Sequence, residues 1–246
     1  MIIDTHTHLG GCRVFGDEVT EKDLMDTMEK NEVGVSIVQP FPGASNPISI
    51  HDHIAALGEK YPGRIFGMVS LNPHMDKDRY FKEVERCVKE LGFIGVKLHP
   101  IGHAVSPFSE DAKVVFETAA ELQVPVMVHT GPGVPFALPS LYIPIARQYP
   151  DLFIILAHAG FAIFTPEAYV AAKECKNIFL ETSWCMVNDI KWLMESIGSN
   201  RIMFGSDLPN NLPVEIAKYK SLDLSNKELD DYLWLTARRV FNLKID

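Results

Sequence analysis

The chain has 246 residues, enough for one large α/β barrel or two small domains, and with 47% apolar side chains it can bury a sizeable core. A formal net charge of −9 gives no electrostatic reason to expect nucleic acid or an anionic membrane as a partner. Cys12, Cys87, Cys175 and Cys185 lie far apart with no C-x-x-C pair, which argues against a thiolate zinc site and a disulfide framework; with no basic segment leading into an apolar core, a cytoplasmic protein is expected.

The first apolar strand, 2–8, closes on Asp4-Thr5-His6-Thr7-His8. Alternate residues of a strand face one way, so Asp4, His6 and His8 are expected to share a side, where two imidazoles can grip one divalent ion. A Thr-x-x-Asp cap opens a helix at 20–31, and a strand at 35–40 follows. His51 and His53 come next in a helix or loop, two residues apart and so on different sides of a helix. Strand 65–72 leads past His74 to a helix at 76–91 with Phe81, Val84, Val88 and Leu91 as its apolar set. Strand 94–100 carries Lys97 and His99, with His103 in the loop after it, and a Ser cap opens helix 109–122. Strand 124–131 brings His129 to a Gly/Pro-rich loop, and strand 152–160 brings His158. Strand 178–183 brings Glu181 and Ser183, with Trp184 and Cys185 placed to line a pocket wall or plug the barrel top. Strand 201–209 brings Asp207. His51, His53, His74 and His103 are expected on the surface or in loops, His103 being the one best placed to reach a substrate.

Eight strands alternating with eight helical stretches, several of the strands apolar on both faces, fit a parallel sheet covered by helices. The economical closure is a single (β/α)8 TIM barrel that uses residues 1–246 as one domain. In such a barrel the site lies at the C-terminal rim of the strands, where five of the nine histidines and Asp207 fall. Five imidazoles and a carboxylate meeting at one mouth would form a costly polar cluster without a cation.

Four motifs, Ile3-Asp4-Thr5-His6-Thr7-His8, Gly95-Val96-Lys97-Leu98-His99-Pro100, the His129 and His158 strand ends, and Phe204-Gly205-Ser206-Asp207-Leu208-Pro209, resemble the amidohydrolase superfamily. Within it they resemble the amidohydrolase-related branch of aminocarboxymuconate-semialdehyde decarboxylase, resorcylate-type decarboxylases and oxalomesaconate hydratase. The resemblance implies a zinc-type ion held by His6, His8, His129 and Asp207. It places His158 just outside as an acid/base group or on a second metal, and implies one ion rather than two. Imidazole and carboxylate suit Zn²⁺, and without a thiolate Mn²⁺ or Fe²⁺ also fits.

A metal lowers the pKa of bound water from about 15.7 toward about 7, with Asp207 to take its proton and His158 to donate where negative charge develops. That chemistry is hydrolysis of a small amide, lactone or ester; the alternative is non-oxidative loss of carbon dioxide from a small carboxylic acid, which needs the same parts. Lys97 and His99 are the candidate substrate contacts. Lys97 is open to three readings: a carbamate bridging two ions, an ammonium that meets an anionic substrate, or a partner of Asp4 or Glu181. A TatD-like nuclease and a non-catalytic metal-binding barrel are the remaining readings. The sequence leaves a homo-oligomer open.

Overall fold

The computed structural model describes residues 1–245, in which strand and helix alternate along the chain. The strands are β1 (Ile3–Gly11), β2 (Val35–Pro40), β3 (Ile65–Gly67 continuing as Val69–Ser70), β4 (Val96–Leu98), β5 (Val126–His129), β6 (Ile154–Ala157), β7 (Ile178–Glu181) and β8 (Ile202–Met203). The helices behind them are α1 (Glu21–Lys30), α2 (Pro47–Lys60), α3 (Lys77–Lys89), α4 (Glu110–Glu121), α5 (Tyr142–Gln148), α6 (Thr165–Glu174), α7 (Val187–Ile197) and α8 (Leu212–Ser221). Among the described residues no helix is long and apolar enough to cross a membrane.

Local chemistry sets the helix starts. Thr20 and Asp23 form the reciprocal capping box that opens α1, and Asp76 and Ser109 accept the backbone N–H of the third helical residue in α3 and α4. Asn46 caps α2 ahead of Pro47, whose missing N–H is one that a first turn leaves unpaired anyway. All three helices expected from the sequence therefore lie within two residues of their expected ends.

The fold is a (β/α)8 barrel of parallel strands, but the ladders form two sheets, of four and six strands, rather than one unbroken ring. The smaller includes a short antiparallel strand, Glu18–Val19, on the rim side of β1. The sheets meet at two seams. At one, β3 changes partners at Met68, whose N–H bonds Val38 in β2 while the N–H of Val69 bonds Gly95 before β4. At the other, Thr5 donates to the Phe204 carbonyl at 3.1 Å and the His6 carbonyl accepts from Ser206 and Asp207 at 3.2 and 2.6 Å.

The second seam corrects an expectation. Asp4 pairs with Ser36 and His8 with Gln39, and the register shifts between Asp4 and Thr7. Ser36 and Gln39 are an odd number of residues apart, so Asp4 and His8 stand on opposite faces. The bulge turns Asp4 into the seam, where its carboxylate accepts from Ser206 N–H (2.9 Å), Ser206 Oγ–H (2.6 Å) and His6 N–H (3.2 Å). Burial pushes that carboxyl up to about 7, against the pull of those donors.

Inside the barrel Ile3, Val35, Ile37, Met68, Met127, Ile155, Phe179 and Met203 pack together with Ala237, Val240, Phe241 and Leu243, so the C-terminal helix (Thr236–Val240) stoppers the end opposite the site. Between strands and helices lies the larger apolar layer that includes Leu24, Ile54, Tyr80, Phe116 and Leu193. Each such aliphatic or phenylalanine side chain contributes about 1.5–3 kcal/mol by leaving water.

His51, expected at the surface, is wholly buried in α2. Its Nε2 accepts from Ser70 N–H in β3 (3.2 Å) and its Nδ1 donates to Glu83 of α3 (3.1 Å), which Arg86 also holds through two nitrogens at 2.9 Å. Burial would raise the Glu83 carboxyl, but bonds from His51, Arg86 and Cys87 bring it down to about 2. Glu83→Ala is expected to lower stability by about 2 kcal/mol in chemical denaturation, because it leaves His51 Nδ1 buried without an acceptor. A change within about 0.5 kcal/mol would show that water replaces the carboxylate at no cost.

Candidate metal centre

The strand ends that were expected at the rim do converge. His6 is fully buried with its two ring nitrogens in different company: Nδ1 meets Glu181 Oε2 at 2.9 Å, while Nε2 lies 2.8 Å from Lys97 Nζ and 3.2 Å from Asp207 Oδ1. His8 Nδ1 donates to the Pro40 carbonyl at 3.3 Å, its ring stacks on Phe41 at 4.4 Å, and its Nε2 lies 3.4 Å from the same Asp207 Oδ1. A carbonyl and a carboxylate only accept, so both imidazoles carry their hydrogen on Nδ1 and offer lone pairs at Nε2. Each of the two lone pairs thus lies within 3.4 Å of one carboxylate oxygen, a repulsive arrangement that a shared cation relieves.

Asp207 reaches this position through a left-handed backbone, φ +67°, and Trp184 Nε1–H holds its other oxygen, Oδ2, at 2.8 Å. His129 stacks on His99 with ring centres 4.0 Å apart and stands edge-on to His158 at 4.8 Å; its Nε2 has no hydrogen-bond partner. An orphaned buried ring nitrogen beside the cluster fits a further ligand, although the tight three-donor group is His6, His8 and Asp207 without it.

His158 follows β6, in a turn where His158, Ala159, Phe161 and Ala162 all have positive φ (64, 39, 57 and 62°). The expected strand 152–160 therefore stops at Ala157, and this strained turn swings His158 into the mouth. Its ring centre is 5.0 Å from that of His6, and burial pushes it down to about 3, so it is neutral at ordinary pH. Lys97 is buried and bonded to His6, which sets aside, of its three readings, the one that paired it with Asp4 or Glu181; burial brings its ammonium down to about 8.

His99 keeps its expected place but spends its Nδ1 on the Gly102 N–H at 3.0 Å, leaving ring stacking on His129 as its link to the cluster. His103, expected in a surface loop, is buried with Nδ1 accepting the His99 N–H at 3.3 Å. His53 and His74 are exposed as expected. The supporting parts had weaker signals: Phe41 follows a strand end with no polar mark, and the Trp184 contact to Asp207 spans 23 residues of chain.

Acid should unfold this cluster. His103 and His158 are held by burial at about 3 in the fold against about 6.5 in an open chain. Between those limits the unfolded chain binds protons that the fold refuses, so stability is present above about pH 6.5 and is lost as pH falls. Asp4, raised to about 7 by burial, acts in the opposite sense, but it is one group against these two and against His6, His99 and His129, which burial also lowers. The melting midpoint of metal-free protein is expected to drop steadily from pH 7 to pH 4; a flat or rising profile would contradict neutral buried imidazoles.

A family model described as Amidohydrolase matches residues 3–243. The 2-keto-4-carboxy-3-hexenedioate hydratase of a Sphingobium species is 26% identical, over 78% of this chain and 72% of its own. The gamma-resorcylate decarboxylase of a Polaromonas species is also 26% identical, over 78% of this chain and 75% of its own. The solved 5-carboxyvanillate decarboxylase of Novosphingobium aromaticivorans, complexed with manganese and 4-hydroxy-3-methoxy-5-nitrobenzoic acid, aligns with a TM-score of 0.77 over 99% of this chain and 96% of that one, at 17% identity.

Proposed function

Since this chain belongs to the amidohydrolase family, in its amidohydrolase-related branch of enzymes, we propose that it is a metal-dependent, non-oxidative decarboxylase of a small carboxylic acid. The observation that carries the reading is a buried His158, its ring centre 5.0 Å from that of His6, beside a cluster of nitrogen and carboxylate lone pairs that a cation would satisfy. The likeness to a decarboxylase favours this alternative over hydrolysis.

His6, His8, His129 and Asp207 would hold a single divalent ion. The donor set accepts Zn²⁺ and Mn²⁺ alike, and manganese is the ion in the 5-carboxyvanillate decarboxylase complex. When bound, the ion supplies Lewis acidity that draws negative charge on substrate oxygens toward it. Lys97 adds an ammonium beside His6, suited to an acid group, and His99 backs the His129 ring. His158 takes the proton of the substrate's carboxylic acid on its free nitrogen and passes it to the carbon that loses carbon dioxide: the C–C bond breaks, and its electron pair forms the new C–H bond. Trp184 donates to Oδ2 of Asp207, which makes that oxygen a weaker proton acceptor, and this reading gives the proton-carrying role expected of Asp207 and His158 together to His158. Phe41, Phe161 and Trp184 pack around the cluster, Phe161 5.4 Å from His158 and stacked on Trp184 at 5.8 Å, where they exclude water.

Attack by activated water, as hydrolysis or hydration, is the second reading, favoured by the hydratase relative. The test is elemental analysis of the purified protein coupled to a panel of aromatic and enoic carboxylic acids, lactones and amides, with carbon dioxide followed separately. Turnover with stoichiometric carbon dioxide supports the proposal; turnover of a lactone or amide without it would replace decarboxylation by hydrolysis.

A further inference from the structure

We propose that Glu181 is a positioning residue that fixes the ring protons of two histidines at once, and so decides which nitrogen of His6 meets the metal and which nitrogen of His158 carries the proton. The second half rests on the role proposed for His158; the first half does not.

Glu181 ends β7 and is completely buried. Four donors converge on its two oxygens. Oε2 accepts from His6 Nδ1 at 2.9 Å, from the His158 backbone N–H at 3.2 Å and from Ser183 Oγ–H at 3.0 Å, and Oε1 accepts from the Ser183 backbone N–H at 2.5 Å. The donor atoms of His6, His158 and Glu181 lie close enough to hold an ion, but Oε2, the oxygen that meets both histidines, already accepts three hydrogen bonds, so it acts as a hub of hydrogen bonds and not as a ligand.

Proton counting does the rest. The carboxylate only accepts, so the His6 hydrogen sits on Nδ1 and Nε2 is bare toward Lys97 and Asp207. Ser183 has one hydroxyl hydrogen. Given to Glu181, it leaves Ser183 Oγ as an acceptor for His158 Nδ1, 2.8 Å away, so His158 also carries its hydrogen on Nδ1 and keeps Nε2 bare. The backbone bond to His158 holds the same residue in its strained turn, φ +64°. The segment after β8 is cut to fit: a Cβ on Gly205 would lie 2.7 Å from Oε1 and 2.9 Å from Cδ of Glu181, so only glycine leaves the carboxylate in place.

The experiment compares wild type, Ser183→Ala and Glu181→Gln, each ¹⁵N-labelled at histidine and metal-free, with long-range ¹H–¹⁵N spectra to show which ring nitrogen bears hydrogen, followed by titration with Mn²⁺ and Zn²⁺. Wild type is expected to show Nδ1–H for both His6 and His158. Ser183→Ala should release His158 from that tautomer while His6 keeps it and metal affinity stays within about threefold. In Glu181→Gln the amide N–H₂ donates where the carboxylate accepted; metal affinity should fall about 10–100-fold, the usual effect of removing the group that orients a ligating histidine. Wild-type His158 protonated on Nε2, an unchanged His158 in Ser183→Ala, or undiminished metal affinity in Glu181→Gln would each overturn the proposal. None of these readouts involves turnover, so a failed decarboxylase assay leaves them intact, and Ser183→Ala keeps the test alive if Glu181→Gln does not fold.

Discussion

Replacing His6 by alanine is expected to leave the purified protein with roughly a tenth or less of the wild-type metal and no measurable turnover, the largest effect of any single substitution. His6 is the residue on which the cluster closes: its Nε2 faces both Lys97 and Asp207, and its Nδ1 is tied to Glu181. Removing the ring deletes one lone pair at the ion, strands the Glu181 carboxylate without one of its donors, and takes away the Lys97 partner, so no neighbour is placed to compensate. Elemental analysis after dialysis against trace metal measures the loss, and circular dichroism shows whether the barrel survives. A His6→Ala protein that retains full metal would put the ion elsewhere and sink the assignment of His6, His8, His129 and Asp207 as its holders.

His158→Asn is expected to separate chemistry from binding. Metal content should remain near wild type, because the tight donor group of His6, His8 and Asp207 does not include His158. The rate constant kcat should fall by about 10²–10⁴, the range for losing a positioned proton carrier, or about 3–5 kcal/mol of barrier. KM should change little, because Lys97 and the ion, which are proposed to bind the acid, remain. Rates with and without carbon dioxide release, measured on the same acid at matched metal loading, check this. If kcat stays within about threefold of wild type, His158 carries no proton in the reaction and its buried neutrality has only a structural meaning.

The chain order of β and α elements, the capped starts at Thr20, Asp76 and Ser109, and the polar strand ends were legible in the sequence because each depends on neighbours a few residues away. Strand and helix periods, N-cap chemistry and the rule that parallel strands end in their site all act over such distances. The convergence of His6, His8 and Asp207 followed from the same pattern once the strands were placed in a barrel.

Other features depended on contacts between distant segments. Simple alternation put Asp4 beside His8, but the bulge between Asp4 and Thr7 lies where β1 pairs with β2 on one side and bonds the segment 204–207 on the other, and it sends Asp4 into the seam. His51 and His103 look like loop or surface residues in one dimension; only packing against Ser70, Glu83 and His99 reveals them as buried and bonded. The tautomers of His6 and His158 are decided by Glu181 and Ser183, from 23 to 175 residues away along the chain. Periodicity thus determined what this protein is built from and where its polar groups gather. Tertiary structure decided which lone pairs face the ion, because a hydrogen bond's direction is fixed by its partner in space, and no pattern along a strand records that partner.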